Sequence, residues 1–322
     1  MRFDRWTIRR FRDPHLEPIA LWDACLEDET QPERSVYTRL GRIHVERLRR
    51  EGLDDTRIAT TLTDELVQVL RALHGGQTRG IDGQPCIAPQ RFERAFIEGR
   101  VLELTGLRAA LANHDLPFDV ALAPPRPACI ELGAEQLLRR VSDEQAPRAL
   151  VVDIGHTVIR TVSLGRTPRH LSFERNFDRL PLARGSIPPP SMSATASFVS
   201  RSAEFVGRAM AASLSASTAP IILSFPCSLD PQGTPGRCTY PGWEGNETVA
   251  PRMVESMVKQ VQQDASGERT QRDGERLDVW LISHAELVAL ATEAVLGPAR
   301  AGGTLALAVG FGPSAAILRG EP

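Results

Sequence analysis

The chain has 322 residues, 42% hydrophobic and 24% charged, so a sizeable core can form and wholesale disorder is excluded. Its net charge of -2 argues against a nucleic-acid or anionic-membrane surface as the main function. No apolar run reaches the roughly 18–20 residues of a membrane span, and the basic N-terminal stretch lacks the apolar centre of a signal peptide.

Five cysteines (Cys25, Cys86, Cys129, Cys227 and Cys238) are widely spaced and never form a CxxC pair. That argues against a zinc site or a disulfide framework, and a reducing cytoplasm is the simplest setting. Lys259 is the only lysine among 38 basic residues, so chemistry that requires a lysine has almost no candidate.

In chain order, apolar residues at helical spacing predict helix over 33–73, where Val36, Leu40 and Ile43 are followed by Leu62, Leu66, Val69 and Leu73. A Gly- and Pro-rich loop is expected over 75–89, and helix again over 90–113. Residues 118–123 read as a strand, 130–140 as a helix and 149–155 as a buried strand ending on an acid, with 158–164 as its hairpin partner. Helix is expected over 196–213, 249–263 and 284–296. Strands are expected over 220–225, 277–283, 304–310 and 315–318, and a loop over 226–247. Strands alternating with helices predict an α/β architecture.

Three short elements carry chemistry. Asp153-Ile154-Gly155-His156-Thr157 closes a strand in a tight turn. Glycine there admits backbone N–H groups to a phosphate, threonine adds a hydroxyl, and the acid can hold a water on Mg²⁺. Gly310-Phe311-Gly312-Pro313-Ser314 is a second turn after an apolar strand. Ser224-Phe225-Pro226-Cys227-Ser228 runs a strand into a loop that can offer hydroxyls to a polar ligand. No GxSxG or HExxH motif occurs, and Cys227 has no histidine nearby in sequence. Trp243 reads either as a ligand-stacking ring or as a loop anchor.

These segments together resemble the eukaryotic-type hexokinase family of the actin-like ATPase superfamily. Asp153–Arg160 resembles the first phosphate motif, DLGGTNFR, and Ala308–Leu318 the second. Ile222–Ser228 resembles the FSFPCS sugar-loop segment, the most specific match. Residues 186–207, 240–247 and 281–290 lie where the family has further small-lobe motifs. Arg5–Phe11 resembles a worn NMEWGAF, and 21–48 and 118–138 resemble segments that follow the second phosphate motif in the family, although here they precede the first. The order is that of a circular permutation, or of the junction between two tandem units.

The resemblance implies a two-lobed actin-like ATPase (ribonuclease H-like) fold. Residues 1–145 and 291–322 would form the large lobe, and 146–290 the small lobe. It implies ATP and Mg²⁺ as cofactors and a sugar or other small polar metabolite as substrate. Gly155, Thr157, Arg160, Gly310, Gly312 and Ser314 would contact the nucleotide, and Asp153 would organise the metal. Ser224, Ser228, Glu244, Ser283, Asp28 and Arg5 would contact the substrate. The family's catalytic aspartate aligns with His284, which can accept a proton near neutral pH; a histidine satisfied within the core is the competing reading. A homodimer, or a dimer exchanging 1–145, is a further expectation.

The family pattern is broken in several places. His284, Glu244 and Arg5 stand where the family has Asp, Lys and Glu, which alters the charge of a hexose site. His156 adds bulk to the first phosphate turn, and Pro313 removes an N–H from the second. Three readings follow: a phosphotransferase acting on an alcohol other than glucose, a hexokinase-derived pseudoenzyme that works through binding, and a cleft turned to a different reaction.

Overall fold

The computed structural model describes residues 5–19, 21, 24–26, 36–80, 87, 90–124, 128–142, 148–155, 158–165, 168–174, 192–214, 220–236, 240, 242–264, 276–310 and 313–320. Strands in chain order are β1 (Arg5–Arg10), β2 (Leu16–Ile19), β3 (Ala24–Leu26), β4 (Thr78–Gly80), β5 (Arg94–Glu98), β6 (Asp119–Leu122), β7 (Ala149–Ile154), β8 (Val158–Leu164), β9 (Arg169–Glu174), β10 (Ile221–Phe225), β11 (Arg276–Ser283), β12 (Thr304–Val309) and β13 (Pro313–Leu318). Helices are α1 (Val36–Arg39), α2 (Arg42–Arg50), α3 (Asp55–Gly75), α4 (Leu107–Ala112), α5 (Ala128–Val141), α6 (Met192–Ser213), α7 (Val249–Asp264) and α8 (His284–Leu296). No helix among the described residues is long and apolar enough to cross a membrane.

The chain divides into two compact units. Unit 1 comprises Met1–Arg12 and Leu137–His284; unit 2 comprises Asp13–Gln136 and Ala285–Pro322.

Unit 1 is built on β7, whose sequence Ala-Leu-Val-Val-Asp-Ile is buried at every position. A nearly continuous aliphatic run suits a strand covered on both faces. β8 and β9 follow it as an antiparallel meander, while β10, β11 and β1 add in parallel on its other side, giving the order β1-β11-β10-β7-β8-β9. The apolar faces of α6 and α7 contribute Val199, Val206, Met210, Met253 and Met257 to a core shared with Leu150, Val152, Ile221 and Leu223. The two helices meet closely at Gly207, where an added Cβ would lie 2.6 Å from the Ser256 side chain.

Unit 2 is built on β12, also buried throughout. β13 pairs antiparallel with it and β2 antiparallel with β13. β5 and β6 add in parallel on the other side, in the order β2-β13-β12-β5-β6. The long helix α3 places Ile58, Leu62, Leu66, Val69, Leu70 and Leu73 in the core of this unit. It starts where the Asp54 side chain accepts the Arg57 N–H at 2.9 Å, and stops at Gly76, which has φ 71°.

Both sheets therefore share one plan: a three-stranded antiparallel meander whose first strand is flanked on its other side by parallel strands. In unit 1 the shared strands run in chain order from β7 to β11. In unit 2 the plan begins with β12 and β13 and resumes with β2, β5 and β6, so its first two strands come last in the chain.

The structure departs from expectation in four segments. Residues 94–98 form strand β5 rather than helix, followed by a 3-10 turn at Arg100–Glu103 and only then the short α4. All five β5 side chains are buried between strands β12 and β6, and that pairing overrides local helical spacing. The expected 75–89 loop contains β4, which pairs with β3. β9 had no strand signal; it is the outer strand of its sheet, where polar residues such as Arg169 and His170 are tolerated. Finally, Arg5–Arg10 was expected with the 1–145 segment, yet it extends the sheet of unit 1, and the strand that pairs with β13 is Leu16–Ile19.

Candidate functional site

The most connected polar group described in unit 1 surrounds Asp153. The register places Ser224 on β10, Asp153 on β7 and Arg160 on β8 side by side, near the carboxyl ends of the parallel strands. Ser224 donates its hydroxyl to Asp153 Oδ1 at 3.2 Å, and Arg160 donates to Oδ2 at 3.3 Å. His284 enters as the first residue of α8, with its Nδ1 2.8 Å from Asp153 Oδ1. A carboxylate can only accept, so the imidazole donates from Nδ1. The Asp153 side chain is 2% exposed, and the side chains of His284 and Arg160 beside it are each 12% exposed. A carboxylate this deeply buried is tolerable because a guanidinium and two further donors meet it.

The turn after β7 is held from two sides. Gly155 donates its N–H to the Val158 carbonyl at 3.1 Å, and a Cβ at Gly155 would lie 2.6 Å from that same oxygen. Tyr240, 1% exposed, donates its hydroxyl to the Gly155 carbonyl at 2.7 Å. Its ring stacks on Trp243 with 4.1 Å between centroids, and Trp243 donates Nε1–H to Ser202 on α6 at 3.0 Å. The loop over 226–247 is thereby tied to both the turn and the helix layer. Trp243 is completely buried, so it is the loop anchor and not a ligand-stacking ring.

The remaining predicted residues are distributed differently. Ser283 is buried at the end of β11, next to His284. Ser228 and Glu244 are exposed on the 226–247 loop, where Gly236 N–H donates to the Ser228 carbonyl at 2.8 Å. Arg5 stands at the first position of β1, opposite Arg276, whereas Ser283 closes β11 at its other end. The parallel pairing of β1 carries Arg5 to the end of the sheet remote from Asp153, so the structure does not bring it together with Ser224 and His284. Thr157, Gly312 and Asp28 lie outside the described residues.

In unit 2, Gly310 follows β12 and Ser314 sits on β13 opposite Ala308, both half-buried. Sequence reasoning missed Gly99, which closes β5 with φ 142°; its added Cβ would lie 2.0 Å from the Val309 carbonyl, immediately before Gly310. Only glycine serves where the turn after β5 presses against the end of β12. The Phe-Ile-Glu-Gly run at 96–99 carried that signal but was absorbed into an apparent helix. Tyr240 was missed for another reason: its partner is 85 positions away in sequence.

Among the described residues no group of His, Cys, Asp and Glu is arranged to hold a metal ion. Mg²⁺ favours an octahedral shell of oxygens, most of them waters and phosphates, around one or two carboxylates. Asp153 instead carries a guanidinium, a hydroxyl and an imidazole. These contacts engage both carboxylate oxygens, a donor set that suits an ion pair better than an inner-shell Mg²⁺.

No protein-family model matches the chain, and no curated protein matches it.

Proposed function

We propose that the chain is a circularly permuted relative of hexokinase with the actin-like ATPase fold, and that it transfers a phosphoryl group from ATP to an alcohol of a sugar or other small polar compound. The fold reading is supported by the plan common to both sheets, and by the interruption of that plan in unit 2 between its second and third strands. The observation that carries the chemistry is the 2.8 Å contact between His284 and Asp153 at the end of β7. It joins the two residues that the motif resemblance brings forward as base and strand-end acid.

In this reading His284 takes the proton of the acceptor alcohol. Gly155, Thr157 and Arg160 contact phosphate from the turn after β7, and the same reading assigns Gly310, Gly312 and Ser314 to phosphate in unit 2. Ser228, Glu244 and Ser283 belong to the acceptor. Mg²⁺ would arrive on the phosphates of the nucleotide. Phosphoryl transfer is mostly positioning and charge stabilisation, so an altered acceptor site redirects specificity without requiring a new fold.

The second reading, a binding protein without turnover, is favoured by Arg160, whose guanidinium sits on the carboxylate that the motif would use near a metal. Calorimetric titration with ATP and Mg²⁺, followed by ADP-release assays over sugars and polyols, separates the two. Binding with turnover supports the transferase, and binding without turnover the pseudoenzyme. An absence of nucleotide binding rejects the transferase, and an absence of both nucleotide and sugar binding rejects the pseudoenzyme as well.

A further inference from the structure

We infer that Asp153 and His284 form a carboxylate–imidazole dyad, in which Asp153 fixes the Nδ1–H tautomer of His284 and the Nε2 atom is the proton acceptor. Asp153 is thereby a positioning residue for an imidazole and not a metal ligand. The dyad stands on geometry alone; the step it serves rests on the phosphotransferase reading above.

Several observations converge. His284 Nδ1 lies 2.8 Å from Asp153 Oδ1, a short and charge-assisted contact. The neutral imidazole carries a single N–H, and an N–H at Nδ1 leaves the lone pair on Nε2. The carboxylate is held against rotation: Ser224 donates to the oxygen that also meets the imidazole, and Arg160 donates to the other. Ser224 is fully buried, and Asp153 lies on β7 between β10 and β8 in a hydrogen-bonded sheet. His284 follows directly on Ser283, the buried last residue of β11, whose pairing with β10 sets where the imidazole starts.

The chemical consequence is a base that a buried carboxylate orients, and whose positive form that carboxylate would stabilise. In the transfer step, Nε2 takes the hydroxyl proton of a neutral polar alcohol as its oxygen bonds to the γ-phosphorus of a nucleoside triphosphate. The bond from that phosphorus to the bridging oxygen breaks, the nucleoside diphosphate leaves with the electron pair, and the proton passes from imidazolium to solvent. Arg160 balances the carboxylate throughout, which is the electrostatic task that a cation on Asp153 would otherwise have.

Histidine side-chain NMR on the full ¹⁵N-labelled chain tests the dyad without any ligand. The chain has 7 histidines, and His284 is identified as the signal lost in H284Q. Recorded on the high-pH side of the ring's own titration, the expected result is an unprotonated Nε2 and a protonated Nδ1, shifting toward the other tautomer in D153N. An Nε2–H tautomer in the wild-type chain overturns the inference, as does an unchanged His284 signal in a folded D153N. If D153N fails to fold, the wild-type tautomer still decides.

Equimolar Mn²⁺, used as a paramagnetic probe without nucleotide, should leave the His284 signals sharp; selective broadening there overturns the metal-free role of Asp153. Where turnover is found, H284Q and D153N should each lower kcat by about 10²–10⁴ with little change in KM; unchanged kcat in H284Q rejects the base. If no acceptor is turned over, the transferase reading fails while the tautomer measurement still judges the dyad.

Discussion

Replacing Tyr240 by Phe removes one oxygen and leaves the ring stacked on Trp243, so it isolates the hydroxyl bond to the Gly155 carbonyl. A net hydrogen bond is worth about 0.5–1.5 kcal/mol, and stranding a fully buried acceptor costs up to about 3 kcal/mol. The Gly155 turn is half-buried, so water can reach the carbonyl once the hydroxyl is gone. The lower figure governs, and Y240F should destabilise unit 1 by about 1 kcal/mol. That corresponds to a fall of about 2–4 °C in the melting temperature of a unit this size. The loss should be local as well as global. Hydrogen exchange at Ile154, Gly155 and Val158 should quicken by about fivefold, the population equivalent of that energy, while exchange along β12 stays as it was. If Y240F melts like the wild type and those three amides exchange at the same rate, then Tyr240 does not hold the turn.

Other variants probe unit 2. Gly99→Ala places a Cβ 2.0 Å from the Val309 carbonyl at φ 142°, and should cost at least about 3 kcal/mol in urea unfolding. Gly133→Ala, whose Cβ would meet the Leu287 carbonyl at 2.1 Å, should be similarly severe; a wild-type midpoint for either would contradict the close approach of backbones. Arg94→Met withdraws two donors from the carbonyls of Leu296, at the end of α8, and Pro298 just beyond it, so amide exchange at 294–297 should accelerate by about tenfold or more. Stability should also depend on pH through His44. Burial, then Arg47 and Arg39, lowers its pKa from 6.5 to about 4. The folded chain keeps this ring neutral while the unfolded chain protonates it, so its contribution is complete above pH 6.5 and falls away toward pH 4. The full swing is about 3 kcal/mol. Urea midpoints at pH 4.5 and 7 should differ less in H44Q than in the wild type.

The legible parts of this fold are those where one local property decides the outcome. β7, β10, β12 and the hairpin of β7 with β8 are continuous aliphatic runs or alternating partners, and they read directly. α3 shows its apolar face at helical spacing. β5, β9 and β1 do not read, because each depends on a neighbour remote in sequence: β5 on β12, β9 on β8 with its outer edge open, and β1 on β11. The site divides in the same way. Asp153 and the Gly155 turn announce themselves through a strand end followed by glycine. The motif alignment brought His284 forward, but its contact with Asp153, 131 positions away, required the structure. Arg5 was grouped with the site through the likeness of Arg-Trp-Thr to a motif, whereas strand pairing sets it at the opposite end of the sheet from Asp153.

The split origin of the unit 2 sheet has a consequence during synthesis. Roughly 180 residues separate the end of β6 at Leu122 from the start of β12 at Thr304. At about 5–20 residues per second, a ribosome needs roughly 10 to 40 s to deliver that interval. Throughout it β5 has no inner neighbour, and the backbone groups that later bond to β12 stand open. The nascent chain can finish most of the β7–β11 sheet first, but the β12-centred sheet closes only after its own flanks have waited, which makes the bare side of β5 the natural place for chaperone capture or for aggregation.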